Sequence, residues 1–196
     1  MFKHPDPVWT AIHISVTDYN QAVLETTTVP NLLLTWYFAR YNLSPPREGD
    51  LEITEDVLCR FQKDLSDRAI HISGLSGSWN DAFCDLLVPF DGLRPPNAMQ
   101  TLVLASETIY SPSSIQMFTK LLLRTLKCAQ TAGGRATALI AAKRVYFGVG
   151  GGVDEFLDIL GKFDGRASVA WESMGSGVGR VILELITDGQ MLAEPL

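Results

Sequence analysis

An α/β fold, with a mostly parallel sheet and helices on both faces, is the class this sequence predicts, and three observations carry it. Short β-type runs alternate with stretches of helical periodicity. Two runs, residues 101–105 and 136–142, are continuously apolar, as expected of strands buried on both faces of a parallel sheet. The chain closes on two successive β-type runs around a glycine-containing turn, which predicts one antiparallel member at the end.

The first run, residues 11–16, alternates Ile12, Ile14 and Val16 and ends at Thr17-Asp18-Tyr19-Asn20. Residues 21–40 follow with helical spacing at Val23, Leu24, Leu32, Leu33, Trp36 and Tyr37. Pro30 lies inside this stretch and lacks an N–H, so the helix is expected to break or restart there. Residues 44–50 (SPPREGD) signal a loop, and residues 51–67 are polar and acidic. The stretch 44–67 is therefore expected to be a surface insertion. Residues 69–73 form a second β-type run that leads into Gly74-Leu75-Ser76-Gly77-Ser78-Trp79. A short helix is expected over 80–90, then a turn over 91–97 that contains Gly92 and Pro95-Pro96.

Beyond the apolar run 101–105, Ser111-Pro112 opens a helix, with serine as cap and proline in the first turn. Ile115, Phe118, Leu122 and Leu126 form its apolar stripe, and Gly133-Gly134 ends it. The run 136–142 is the next strand, and residues 153–160 are helical with Phe156, Leu157 and Leu160 apolar. Residues 167–171 and 181–186 are the closing β runs around the turn 174–177. The whole of 1–196 reads as a single domain with a leader at 1–10.

Composition narrows the function classes. Apolar residues make up 46% of the 196 and charged residues 19%, enough for a real core. The net charge is −6 and the pI about 5.0, with no basic stripe, so direct nucleic-acid binding is disfavoured. Cys59, Cys84 and Cys128 are odd in number and far apart, which leaves a disulfide framework or a metal site without support. The first residues lack a signal-peptide core. No apolar run approaches the ~20 residues that span a bilayer.

In open α/β sheets, ligands sit beyond the C-terminal ends of the strands, so the residues following each strand are the candidates. Asp18 follows the first. Its carboxylate can accept from both hydroxyls of a ribose, or it can serve as a turn or capping aspartate. Ser78 and Trp79 follow the second. The indole can stack on an adenine face or plug the space between helix and sheet. Ser106-Glu107-Thr108-Ile109-Tyr110 follows the third, where a carboxylate could orient or deprotonate a nitrogen nucleophile. Capping of the next helix explains Ser111 but not Glu107. Tyr146-Phe147-Gly148-Val149-Gly150-Gly151-Gly152 follows the fourth. Its glycines permit positive φ and a close backbone approach to a ligand, or simply a turn. It lacks the GK[ST] ending of a nucleotide-phosphate loop.

These blocks, in this order, resemble the protein-histidine N-methyltransferases. Asp18-Tyr19-Asn20 followed by Val23-Leu24 and Val29-Pro30-Asn31 is similar to that family's segment running from its ribose-binding acid into the next helix. Ser76-Gly77-Ser78-Trp79 resembles its Ser-Gly-x-Trp block. Residues 104–110 (LASETIY) are nearly its string after the fourth strand, and 143–153 (KRVYFGVGGGV) carries its Tyr-Phe-Gly-Val-Gly-Gly-Gly core.

The resemblance implies a Rossmann-like seven-strand methyltransferase sheet and S-adenosyl-L-methionine as methyl donor. It implies a protein substrate methylated on a histidine, with ribosomal proteins as the best-known class, and a cytoplasmic and nuclear location. On that basis Asp18, Tyr19, Asn20, Ser78, Trp79 and Ser106 are expected at the cofactor. Glu107 and Tyr110 are expected at the methyl transfer, and Tyr146, Phe147, Gly148 and Gly150 at the acceptor. No metal is expected.

One departure is expected to matter. The family's first strand and Gly-x-Gly loop precede the Asp-Tyr-Asn block, whereas here 17 residues precede Asp18 and none is glycine. The chain thus reads as a partial domain lacking the first strand. Its alternatives are a non-catalytic methyltransferase-like interaction module, or a protein-lysine methyltransferase that shares the acid-x-x-Tyr pattern.

Overall fold

A computed structural model describes residues 11–44, 49–87, 100–131, 134–148, 150–173 and 179–186. The expected leader and the turns at 91–97 and 174–177 lie outside the described residues. The fold is mixed α/β and divides into two compact units, residues 1–78 and 79–196.

The first unit is built on two parallel strands, β1 (Ile12–Asp18) and β2 (Ile70–Ser76), with Ile12 opposite Ile70 and Asp18 opposite Ser76. Parallel neighbours need a crossover, which the intervening helices supply. Asn20 starts them, its side chain accepting from the Ala22 N–H at 3.0 Å. Helix α1 (Gln21–Val23) passes into a π-helical turn (Leu24–Thr28) and then into α2 (Val29–Tyr41). The disturbance expected from Pro30 is this π turn, not a break. Proline occupies the first turn of α2, where its missing N–H costs least. Just upstream the Val29 N–H reaches back five residues to the Leu24 carbonyl. Asn42, at φ 49°, ends α2 in the left-handed conformation.

Within 44–67 the structure places helix α3 (Glu55–Asp67), capped by Thr54, whose hydroxyl accepts from the Val57 N–H at 3.3 Å. Phe61 packs against Trp36 with ring centres 5.3 Å apart. The Trp36 Nε1–H donates to Asp64 at 3.0 Å, and Arg40 pairs with the same carboxylate. These contacts fasten α3 to α2. Asp64 is held below the ordinary carboxylate range, first by the Trp36 hydrogen bond and then by Arg40.

The second unit holds α4 (Asp81–Leu87), β3 (Gln100–Ser106), α5 (Pro112–Thr131), β4 (Arg135–Lys143), α6 (Val153–Lys162), β5 (Ser168–Glu172) and β6 (Arg180–Ile186). The four strands form one sheet in the order β3-β4-β6-β5. β3 and β4 are parallel, and β6 runs antiparallel to both of its neighbours. The last strand therefore inserts between β4 and β5.

Helices α5 and α6 cover one face of this sheet. Ala136, Ala138, Ile140 and Ala142 of β4 and Val181, Leu183 and Leu185 of β6 point into a core with Ile115, Leu122, Leu126, Phe156 and Leu160. Each large side chain so buried stabilises the fold by about 1.5–3 kcal/mol relative to exposure. Thr119 is the buried polar residue of this core among the described residues, and its hydroxyl donates to the Ile115 carbonyl at 2.8 Å. Arg124 of α5 pairs with Asp85 and so ties α4 to the same layer.

One expectation is corrected. β3 is not buried on both faces. Val103 and Ala105 pack on the core, while Leu102 and Leu104 are 59% and 71% exposed. A continuous apolar run shows that both faces of a strand can be buried, not that both have a cover. Among the described residues β3 is an edge strand, and the helices of its unit lie on one side.

Candidate functional site

The candidate residues fall into one cluster in each unit. In the first unit the C-terminal ends of β1 and β2 bring Asp18 beside Ser76, and the Gly77 N–H donates to the Asp18 carbonyl at 3.1 Å. The Asp18 carboxylate accepts the Asn20 N–H through Oδ1 at 2.7 Å, which forms an Asx turn and fixes the side chain at the strand mouth. Tyr19 is exposed, and Ser78 lies exposed two residues beyond Ser76. Ser76 and Gly77 carried no individual role in the sequence reading. The parallel register of β1 and β2 is what brings them to Asp18.

In the second unit the ends of β3 and β4 form a more elaborate cluster. Ser106 is the last residue of β3 and is exposed. Glu107 follows at φ 55°, a left-handed conformation that non-glycine residues adopt at a cost, and its N–H extends the ladder to the Ala141 carbonyl at 3.0 Å. The side chain is turned toward β4, where Oε2 stands 3.6 Å from Lys143 Nζ. That ammonium also lies 5.5 Å from the ring centre of Tyr146. The Tyr146 hydroxyl accepts the backbone N–H of Lys143 at 3.1 Å. Burial raises the Tyr146 pKa above the ordinary phenol value, opposed by the Lys143 N–H, and the facing Glu107 carboxylate raises it further. Tyr110 is half-exposed, its ring 6.2 Å from that of Tyr146.

The glycine segment shapes this corner. Gly148 and Gly150 take φ values of 81° and 77°, and Phe147 between Tyr146 and Gly148 is 82% exposed. Gly151 is required by space. A Cβ there would sit 2.4 Å from the carbonyl carbon and oxygen of Tyr110. The loop therefore packs directly on the Tyr110–Ser111 backbone, and a Val145–Gly152 bridge closes its base. Beside this corner Arg144 forks onto Glu172 at 2.6 and 3.0 Å.

Trp79 is placed differently from the rest. Its ring packs on Phe118 with centres 5.4 Å apart, a contact of the packing kind. Its Nε1–H is buried without a hydrogen-bond partner, as is the Thr108 hydroxyl. Lys143 and Gly151 lie within residues 143–153, where the sequence marks neither of them individually. Lysine at a strand end reads as a solvated charge until the strand register is known. Among the described residues no group of three or more side chains could hold a metal, and no helix is long and apolar enough to cross a membrane.

No family model matches the chain. Curated relatives do. The chain is 36% identical over 169 residues to Histidine protein methyltransferase 1 of Schizosaccharomyces pombe, covering 85% of this chain and 46% of that protein. It is 32% identical over 154 residues to the protein of that name from Saccharomyces cerevisiae, covering 72% and 39%. It is 30% identical over 180 residues to the Histidine protein methyltransferase 1 homolog of Rattus norvegicus, covering 89% and 43%. The chain thus spans less than half the length of these relatives.

Proposed function

Because this chain belongs to the histidine protein methyltransferase family, we propose that it carries the ribose-binding and acceptor-facing part of an S-adenosyl-L-methionine-dependent enzyme that methylates a histidine ring nitrogen in a protein. The observation that carries the geometric side is Glu107. A carboxylate is held in a costly left-handed conformation, half-exposed, beside Lys143 and facing Tyr146 at the mouth of a parallel strand pair. Strain of this kind persists where the surroundings hold it, and it clusters at functional sites.

The first unit fits the ribose of such a cofactor. Asp18 is half-buried at a strand mouth, its orientation fixed through one oxygen, with Ser76 beside it. A carboxylate so placed accepts hydrogen bonds from a vicinal diol. When bound, the cofactor supplies an electrophilic sulfonium methyl that passes to a ring nitrogen and leaves a neutral thioether.

The acceptor side is the work of the second unit. Glu107 accepts the N–H of the acceptor imidazole, which selects the tautomer whose other nitrogen is the nucleophile, and takes up the proton released on methylation. Tyr110 and Tyr146 offer their rings to the imidazole, and the exposed Phe147 follows Tyr146 in the chain. Gly148 and Gly150 let the backbone turn away to leave room for the imidazole. The finer fold, a Rossmann-like seven-strand sheet, belongs to the same reading. So do ribosomal proteins as substrates and a cytoplasmic and nuclear location.

The experiment is methyl transfer from labelled cofactor to ribosomal protein, with the product located by mass spectrometry. The reading expects label on a histidine ring, reduced at least about tenfold by Glu107→Gln. Label on lysine, or transfer unchanged in Glu107→Gln, would contradict it.

A further inference from the structure

At the ends of β3 and β4 a carboxylate and an ammonium face each other. Glu107 is the carboxylate. Lys143 stands 3.6 Å from it and 5.5 Å from the Tyr146 ring centre. Arg180 is the partner of Lys143 across the β4–β6 ladder, and its charge acts on the Tyr146 hydroxyl. The adjacent Arg144 is committed to Glu172. From this arrangement we infer that Lys143 is a specificity-determining residue: it makes the Glu107 site accept a neutral imidazole and reject a protonated amine. The inference rests on the methyltransferase reading above and deepens it by naming what excludes a lysine acceptor.

An acceptor that reaches Glu107 comes within a few ångströms of the Lys143 ammonium. A protonated amine there meets a like charge, and at partly exposed distances of about 4 Å that repulsion weakens binding by at least about tenfold. Its attraction to Glu107 is offset by Lys143, which stands 3.6 Å from the same carboxylate, and the face of Tyr146 already carries that ammonium. A neutral imidazole meets no such repulsion and brings an N–H for Glu107 to accept. Unlike a lysine ammonium, it does not have to lose a proton before it becomes a nucleophile. Lys143 is also well placed to act without holding the fold together, because its side chain is 38% exposed and its strand bonds come from the backbone.

The test uses the 196-residue chain with two small probes, 4-methylimidazole and n-butylamine. It is run at about pH 8.5, above the imidazole pKa and below that of the amine. Binding is followed through the ring signals of labelled tyrosine, assigned with Tyr146→Phe and Tyr110→Phe. Wild type is expected to favour 4-methylimidazole by at least about tenfold, read at Tyr146. Lys143→Met should lose most of that preference by gaining affinity for butylamine, and Lys143→Arg, which keeps the charge, should retain it. The inference is overturned by a preference unchanged in Lys143→Met, by a wild-type preference for butylamine, or by Tyr146 signals that neither probe moves. Failure of the parent reading looks different: no methyl transfer to histidine, with the imidazole preference and its dependence on Lys143 intact.

Discussion

Glu107 combines a strained backbone with a directed side chain, and the two can be separated by substitution. Alanine at 107 keeps the left-handed conformation and removes the carboxylate, whereas glycine also relieves the strain. Glu107→Gly is therefore expected to be more stable than Glu107→Ala by about 1 kcal/mol in denaturant unfolding. Equal stabilities would mean the φ of 55° carries no cost.

Tyr146 offers a second check. Burial and the facing Glu107 raise its pKa, so its protonated form is favoured in the folded chain. That contribution to stability is fully present below the ordinary phenol value of about 10 and is lost as pH climbs through the raised folded value. Phenolate absorbance should show a late-titrating tyrosine that Tyr146→Phe removes; a titration curve without that late component would contradict the burial. Glu107 and Tyr110 were visible as candidates in the sequence because they follow an apolar β-type run and capping does not explain Glu107. Lys143 was not, since its role depends on which residues the parallel register sets beside it.

At the scale of elements, the glycine loop and the α5–α6 layer make distinct predictions. Gly151→Ala places a methyl against the Tyr110 backbone, which has no side-chain freedom with which to yield. The variant is expected to fold with a stability loss of about 1–3 kcal/mol and to lose the Tyr110–Tyr146 arrangement. An unchanged midpoint would mean the loop is not seated there. Phe156 is fully buried between helix and sheet and packs on Phe118, with ring centres 6.2 Å apart. Phe156→Ala should cost about 3–5 kcal/mol, read as a lower denaturant midpoint at constant slope.

Helices α5 and α6 and strands β4 and β6 were legible because their apolar positions are the buried ones. Three features were not. The π turn before Pro30 depends on how the ladder accommodates a missing N–H. The helix of 55–67 is tied down by Trp36 and Arg40, partners distant in sequence. The open face of β3 depends on whether a cover exists, which an apolar run cannot report.

For the molecule as a whole, the blocks that stand out in the sequence lie at strand ends, one group in each unit. One gathers a carboxylate, serines and a tight turn. The other gathers a carboxylate, aromatics, a cation and glycines. The relatives match most of this chain, while it covers less than half of them. The proposed role of the first cluster is to hold the ribose of the methyl donor.

Calorimetric titration of the 196-residue chain with S-adenosylhomocysteine tests that claim most directly. Micromolar binding is expected, abolished in Asp18→Ala while the variant stays folded. A folded wild-type chain that releases no binding heat, or binding that Asp18→Ala leaves unchanged, would contradict it.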